Sequence, residues 1–390
     1  MERIKVIQIA HASHAVWLIG QKTLKEFIQD DWFSRTSKQI KKYYPKIEIE
    51  CWSPEKPCKE QQEFTDAGIK YRQFPTTFSP MYGLDFSIQM LKELKKEVKK
   101  SEEEGYKFII HLHEYHNLHG LLIATLFKNQ KIIAQHHGGS WPLKHVREVK
   151  RYKFAFPAFL VGQFWENKVL KNINIFYPLS SQEMEYLRKV APESEARFQP
   201  MGIEDFLFKS VKKEEARKKV GWPLNRKILL FLGRVNVVKG ITYLLDAAEE
   251  LKDIEIKIIG WGDEKKYAEE ARERGLKNVE FLGSFFGEAK VPYFSASDAF
   301  ILPSTKEGAS VTVMEAMAQN LPIVTTDVAG MPLIVRNGKE GIVIRQKNSK
   351  DIVKAVRKIM KWKNKNVKQY AERYKWEKIV KNTVEDYKKI

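Results

Sequence analysis

A glycine and two cations follow a predicted strand in the second half of the chain. Gly233-Arg234 ends an apolar run, and Lys239-Gly240 directly precedes a helix predicted from Ile241 to Leu251. Glycine permits a tight turn, the cations supply charge, and the helix N-terminus adds exposed amides and a positive dipole end. This pattern predicts a cradle for a diphosphate. The alternative is a turn with two solvated cations.

Two carboxylates occupy the corresponding region after a later strand. The segment from Pro303 to Met317 places Glu307 in a loop and Glu315 about one turn into an apolar helix. Three small residues before this helix offer free amides: Gly308, Ala309 and Ser310. Carboxylates accept paired hydrogen bonds from vicinal hydroxyls, so the two glutamates suit a sugar on one side and a ribose on the other. A solvated surface glutamate is the alternative for either residue alone.

The histidines are confined to the first part of the chain. All nine lie at or before position 145, and five follow predicted strands: His11, His14, His113, His136 and His137. A dense group at positions 111, 113, 116 and 119 lacks the HExxH spacing of helical zinc sites, so we predict a strand end with a polar loop. The chain also contains no Asp-x-Asp pair. We therefore expect no metal site and no cofactor.

Short β-branched runs alternate with helical patterns along the whole chain, which predicts βα units and parallel sheets. A Pro/Gly break at Gln199–Ile203 divides the pattern into two halves of similar size. We therefore predict an α/β fold with two doubly wound domains. Ligands in such folds bind beyond the carboxyl ends of the strands, where the residues above are expected.

Composition limits the classes of protein. The 390 residues carry a net charge of +19, which favours a phosphate-rich partner, and residues 347–390 hold fifteen Lys/Arg against five Asp/Glu. A Lys-rich solvated face of the kind found in heat-adapted proteins is the alternative. The absence of zinc-finger, KH or RNP1 patterns disfavours nucleic acid as the partner.

No apolar run reaches the roughly 18 residues of a membrane span, and no signal peptide is recognisable, so a cytoplasmic location is expected. Cys51 and Cys58 are expected to be reduced.

The ordered motifs of the second half resemble the retaining glycosyltransferases of family 4, which have the GT-B fold. The resemblance rests on these segments: Gly233-Arg234 with Lys239-Gly240, Gly260-Trp261-Gly262, Val279–Gly283, Ser297-Asp298, Pro303-Ser304, Glu307 with seven residues before Glu315, Glu315–Ala318, Leu321–Val324 and Tyr374–Glu377. Met201–Glu204 is similar to the Asn-Gly-Val-Asp of the family's domain junction.

The resemblance implies two Rossmann-like domains, residues 1–203 on the acceptor side and 204–372 on the nucleotide-sugar side. It also implies a donor cleft between them and a C-terminal helix, residues 373–390, that returns to the first domain. Arg234 and Lys239 would bind the donor diphosphate, Glu307 with the amides of residues 308–310 the donor sugar, and Glu315 the ribose.

Several positions depart from the family pattern. The paired glycines of the first strand-to-helix loop are replaced by Ala10–Ala15, and a family carboxylate is replaced by Leu333. His137, before Gly138-Gly139, occupies a position where the family has a histidine near the donor sugar, so it is a candidate catalytic residue beside Glu307. A structural imidazole is the alternative.

The resemblance implies metal-independent transfer of a hexose from a nucleoside-diphosphate sugar to an acceptor hydroxyl, with retention of configuration. A non-catalytic nucleotide-sugar-binding protein on the same fold is the alternative. The acceptor is expected to be a glycan or a lipid-linked molecule. Basic and aromatic residues mix from Trp141 to Trp165, which predicts a peripheral contact with an anionic membrane at its inner face. An ordinary helix between domains is the alternative there.

Overall fold

The computed structural model describes residues 2–10, 24–78, 85–138, 156–362 and 366–390. The chain divides into two compact units, Met1–Gln199 with Val380–Ile390, and Pro200–Ile379. The division near residue 200 lies a few residues before the boundary predicted at 203/204. Residues 200–203 stay with the second unit because the Ile203 amide donates to the Tyr374 carbonyl at 2.8 Å. Gly202 packs so closely on Trp376 that a Cβ atom would lie 2.4 Å from the indole.

The first unit is built on an eight-stranded sheet of order β3-β4-β2-β1-β5-β6-β7-β8, in which only β3 is antiparallel to its neighbour. Its strands are β1 (Ile4–Ile9), β2 (Glu48–Glu55), β3 (Gln62–Asp66), β4 (Ile69–Pro75), β5 (Lys107–His113), β6 (Lys131–Gln135), β7 (Ile175–Tyr177) and β8 (Glu195–Ala196). Its described helices before the C-terminus are α1 (Leu24–Asp30), α2 (Trp32–Tyr43), α3 (Ile88–Glu104), α4 (Leu118–Leu126), α5 (Phe156–Val169) and α6 (Ser181–Val190).

The central strands form because their residues are buried on both faces, as parallel sheets require. Every residue of β1 is buried, and all but the first residue of β5. Helix α3 begins after Ser87, whose side chain accepts from the Met90 amide, and ends at Gly105 in a left-handed conformation.

The last eleven residues belong to the first unit and come mostly from helix α15 (Trp376–Lys389). The hydroxyl of Tyr387 accepts from Gln8 Nε2 at 3.0 Å and lies 2.6 Å from His111 Nδ1. Asp386 accepts from the Tyr177 hydroxyl. The end of the chain thus completes the core beside β1 and β5.

The second unit contains a six-stranded parallel sheet of order β11-β10-β9-β12-β13-β14. Its strands are β9 (Lys227–Leu232), β10 (Ile254–Ile259), β11 (Val279–Phe281), β12 (Ala299–Leu302), β13 (Ile323–Thr326) and β14 (Gly341–Ile344). Its helices before α15 are α7 (Lys213–Val220), α8 (Ile241–Ala248), α9 (Glu264–Glu273), α10 (Val291–Ala296), α11 (Val311–Ala318), α12 (Met331–Ile334), α13 (Ser349–Ile359) and α14 (Lys368–Ala371).

Two other expectations concern the thiols and the membrane. Cys51 and Cys58 are free and buried, and burial raises the pKa of the Cys51 thiol. Among the described helices, none combines the length and apolar character needed to cross a bilayer.

Candidate functional site

The strand order of the second sheet reverses between β9 and β12. From β9 the chain continues to β10 on one side of the sheet, whereas β12 pairs with the other side of β9. The loops that follow β9 and β12 therefore leave the same edge of the sheet at the switch point, where open α/β sheets bind ligands. The predicted cations and carboxylates lie in and after these two loops.

The loop after β9 approaches the loop after β12 closely. Gly240 has a φ of +78°, and a Cβ atom there would lie 1.9 Å from the Pro303 carbonyl oxygen. Glycine is required at this position for both reasons. The Thr305 amide also donates to the Val238 carbonyl at 2.8 Å, which holds the two loops in register.

Lys239 and Glu307 form an ion pair across these loops. Lys239 Nζ lies 2.5 Å from Glu307 Oε2, and the Ser304 hydroxyl donates to the same oxygen at 3.1 Å. Lys239 ends a short 3₁₀ turn, Val237–Lys239, in which the Asn236 side chain accepts from the Lys239 amide at 3.0 Å. The structure thus brings together a residue predicted to bind the diphosphate and one predicted to bind the sugar.

Arg234 lies in the same loop but extends into solvent. Its guanidinium lies over the ring of Trp261, 4.5 Å from the centroid, and its side chain is exposed. Stacking on an indole orients the cation without neutralising it. The Trp261 ring therefore fixes the position of the Arg234 charge at the carboxyl edge of the sheet.

Helix α11 carries Glu315 in its buried second turn, as predicted. The carboxylate is 6% exposed, and both of its oxygens accept from Lys290 Nζ, at 2.6 and 2.7 Å. Sequence reasoning missed Lys290, which directly precedes α10. Nothing in its local pattern distinguishes it from the many other lysines of the chain.

The three small residues before α11 are placed as predicted. Ser310 is the N-cap, and among the described residues its side chain makes no cap hydrogen bond to the helix. Gly308 accepts from the Gly330 amide at 3.1 Å, which fixes the loop beneath the helix start. The amides of the first turn therefore face the loop without a capping side chain.

Some of the motifs that carried the resemblance have structural roles. Asp298 accepts from Arg217 at 2.7 Å and from the Ile228 amide at 2.8 Å, which fixes the start of β9. The Trp376 indole donates to Glu204 at 3.1 Å, which joins the two ends of the second unit.

In the first unit, His137 lies just after β6, as predicted, and is half-buried. Its Nε2 atom lies 2.8 Å from His113 Nδ1, with the rings stacked at 9°. His113 Nε2 lies 2.5 Å from Gln8 Oε1, which in turn connects to Tyr387. Trp32 also stacks on His137, with centroids 5.7 Å apart. The imidazole is therefore held at the end of a hydrogen-bonded series that reaches the C-terminal helix.

The dense histidine group separates in the structure. His111 and His113 belong to β5, His116 lies in the following loop, and His119 lies in α4. Burial lowers the pKa of His111 and of His119 to about 3, so both are neutral near pH 7.

His116 instead meets His136 and Glu183, a group that sequence reasoning missed. Ligand atoms of these three residues lie within 4.8 Å of one another, a spacing that permits a shared metal ion. Burial opposes charge on both imidazoles, yet nearby carboxylates raise the pKa of each. The sequence feature that could have predicted this group is its position at strand ends, because His136 and the loops around His116 and Glu183 follow three adjacent strands.

The first strand-to-helix loop lies outside the described residues from position 11 onward, with His11 and His14. The same holds for the basic cluster between positions 144 and 153.

The fold is shared with solved GT-B glycosyltransferases. Sucrose-phosphate synthase from Thermosynechococcus elongatus matches with a TM-score of 0.70 at 19% identity, over 99% of each chain. The Anabaena protein HepE, solved in complex with UDP, matches with a TM-score of 0.68 at 16% identity, over 99% of this chain and 100% of that one. The α/β architecture predicted from the sequence is therefore confirmed as GT-B.

The second unit matches a known protein family. Residues 212–376, which include most of this unit, match the family described as glycosyl transferases group 1. The motif-based recognition is confirmed at this level.

Curated relatives are similar over part of their length. An uncharacterised glycosyltransferase of Methanocaldococcus jannaschii is 30% identical over 184 residues, 44% of this chain and 47% of that protein. The D-inositol 3-phosphate glycosyltransferase of Corynebacterium urealyticum is 31% identical over 196 residues, 45% of this chain and 46% of that protein. The chain thus spans about half the length of the curated relatives it matches.

Proposed function

We propose that this protein is a retaining glycosyltransferase that moves a hexose from a nucleoside-diphosphate sugar to an acceptor hydroxyl. The observation that carries the proposal is the pairing of Lys239 with Glu307 at the switch point of a group 1 domain. A cation for phosphate and a carboxylate for hydroxyls meet there, beside the N-terminus of α11.

The two carboxylates have lysine partners that a donor would replace. A diphosphate carries more charge than one carboxylate and would draw Lys239 from Glu307. Glu307 would then accept from the sugar hydroxyls, beside the amides of Gly308, Ala309 and Ser310. Glu315 would exchange the Lys290 ammonium for the ribose hydroxyls. Donor binding would thus substitute one set of hydrogen bonds for another.

Charge on the leaving diphosphate would be neutralised by protein groups. Arg234, Lys239 and the amides of α11 offer positive potential where the charge develops. We therefore propose that donor binding needs no divalent ion. In the first unit, His137 is proposed to assist the transferring sugar or the positive charge that develops on it.

The acceptor is proposed to be a glycan or a lipid-linked molecule, and the protein to work at the inner face of a membrane. Three apolar side chains of α5 support a membrane contact. Leu160, Val161 and Phe164 are 46%, 70% and 73% exposed and lie on one side of the helix. Lys168, one turn further, is also exposed.

Calorimetry and product analysis test the proposal. UDP-, GDP- and ADP-sugars are titrated into the full chain with and without Mg²⁺; HepE, solved with UDP-glucose, makes that donor the first choice. Binding of one donor class, equal in both buffers, is expected. NMR of the product of transfer should show the anomeric configuration of the donor.

A matched pair of lysine variants makes the test specific. Lys239→Met should lose affinity for the diphosphate, whereas Lys306→Met, at an exposed lysine of the neighbouring loop, should not. Tight donor binding without transfer to any hydroxyl acceptor would favour the non-catalytic alternative.

A further inference from the structure

Three possible metal ligands meet at the carboxyl edge of the first sheet. His116 lies in the loop after β5, His136 directly follows β6, and Glu183 lies in the first turn of α6 after β7. Since β5, β6 and β7 are neighbours in the sheet, their ends bring the three side chains together. His116 Nε2 lies 3.7 Å from Glu183 Oε1, and His136 Nδ1 contacts the same oxygen.

The carboxylate is oriented by the start of its helix. Glu183 Oε2 accepts from the Leu179 amide at 3.0 Å, while the Glu183 amide donates to the Ser180 hydroxyl at 3.1 Å. This reciprocal arrangement is close to a capping box. With Oε2 occupied in this way, Oε1 faces the two imidazoles and also accepts from the Tyr115 hydroxyl.

Each imidazole has a second carboxylate near its other nitrogen. His116 Nδ1 lies 3.2 Å from Glu166 Oε1, and His136 Nε2 lies 3.8 Å from Glu114 Oε2. Metal-bound histidines usually have a carboxylate, carbonyl or water on the nitrogen that does not bind the metal. His116 shows this pattern, whereas the Glu114 carboxylate lies near His136 at a distance beyond a direct hydrogen bond.

The buried carboxylates around this cluster need positive charge nearby. Glu114, Glu166 and Glu183 are each at most 8% exposed as side chains, so three carboxylates share one buried region. Within the described part of the chain, Glu166 Oε2 is buried without a hydrogen-bond partner. Buried carboxylates are costly unless cations or protons balance them. Two protons on the imidazoles or one divalent cation between them would give the same net charge.

We propose that His116 Nε2, His136 Nδ1 and Glu183 Oε1 bind a divalent transition metal of the zinc class. Two nitrogens and one oxygen suit zinc rather than calcium or magnesium, which prefer oxygen. Ligand atoms around a tetrahedral ion with bonds of about 2.0–2.1 Å lie roughly 3.3 Å apart. The 3.7 Å between His116 and Glu183 is close to this, whereas the direct contact between His136 Nδ1 and Glu183 Oε1 would have to lengthen to admit the ion. The fourth position is left for water or an anion from solvent.

The ion would join three strand-end loops and fix His136, next to His137. The site lies in the first unit and does not use the residues assigned to the donor. The proposal therefore does not rest on the proposed function.

Titration of the full chain with Zn²⁺ alone tests the proposal, after any affinity tag has been removed and bound metal stripped. Calorimetry should show one Zn²⁺ per chain. Co²⁺ in the same site should give visible absorption of the intensity typical of four-coordinate cobalt, and Zn²⁺ should remove it. His116→Asn, His136→Asn and Glu183→Gln should each abolish the stoichiometric uptake. Glu166→Gln should weaken it by about 10- to 100-fold, because it changes only the support of His116.

His119→Leu is the matched control and should keep the site, since His119 lies three residues beyond His116 but belongs to α4. Circular dichroism identifies any variant that does not fold. Titration of the folded wild-type chain is decisive without the variants. If that chain takes up no stoichiometric Zn²⁺, the proposal is wrong. Uptake that survives all three ligand substitutions also overturns it, because the ion is then bound elsewhere.

Discussion

Lys290 holds both carboxylate oxygens of Glu315, at 2.6 and 2.7 Å, in a region where both side chains are mostly buried. The carboxylate was singled out for a ribose, whose two hydroxyls would approach the same two oxygens. Lysine and ribose would therefore compete for one acceptor. The Lys290 ammonium balances the buried carboxylate in the absence of nucleotide, and breaking this ion pair would be a cost that nucleotide binding has to offset.

Lys290→Met tests this competition. The ligand-free protein should lose about 1–3 kcal/mol of unfolding free energy, because Glu315 stays buried without its cation. Its affinity for the free nucleoside diphosphate should nevertheless increase, since no ammonium has to leave. Urea unfolding and calorimetry measure the two effects. A loss of nucleotide affinity would mean that Lys290 itself contacts the nucleotide.

The two glutamates should separate in function. Glu315→Ala removes hydrogen bonds present before and during transfer, so it should weaken nucleotide binding by about 1–3 kcal/mol. Glu307→Ala should collapse turnover, because it removes contacts to the sugar while the bond to phosphate lengthens. It should not weaken binding of the bare nucleoside diphosphate, since it also frees Lys239. Transfer rates and calorimetry with that nucleotide test both variants. The opposite pattern would reverse the two assignments.

His137→Ala should lower kcat much more than it lowers affinity for the nucleoside diphosphate. The imidazole contacts His113 through a ring nitrogen and stacks on Trp32, an arrangement that fixes its direction. Single-turnover rates and nucleotide titrations separate the two quantities, and thermal unfolding serves as the control. A drop in thermal stability that accounts for the lost rate would assign His137 a structural role.

The sequence was most informative where a local pattern coincides with a structural requirement. Strand ends and helix starts have recognisable local residue patterns, and these patterns predicted Gly233-Arg234, Lys239-Gly240 and Glu307. Strand β3 has no such pattern because it is a polar edge strand, joined to β4 by a turn at Ala67-Gly68 with positive φ at both residues. The pairing of Lys290 with Glu315 depends on how α10 packs near α11. Similarly, His136 and Glu183 are 47 residues apart and meet only through the strand order.

His119 should make the fold sensitive to acid. Burial lowers its pKa to about 3 in the folded protein, against about 6.5 in the unfolded chain. The unfolded state therefore binds the additional proton between these values, and stability falls as the pH decreases from about 6.5 towards 3. At pH 5 one such histidine lowers the free energy of unfolding by about 2 kcal/mol. His119→Leu should remove that part of the loss between pH 7 and pH 5, as measured by urea unfolding. An equal change in stability at both pH values would contradict the assignment.

The exposed apolar side of α5 should contribute to membrane binding. The wild-type chain is expected to cosediment with anionic vesicles at low salt and less at high salt, because basic residues attract the surface and apolar side chains enter it. Leu160→Ser with Phe164→Ser should reduce the bound fraction at both salt concentrations. The control is Leu224→Ser with Phe286→Ser, a leucine and a phenylalanine of the second unit that are 54% and 72% exposed. If both double variants bind as the wild type does, or if the wild type shows no salt-dependent binding, α5 is not a membrane contact.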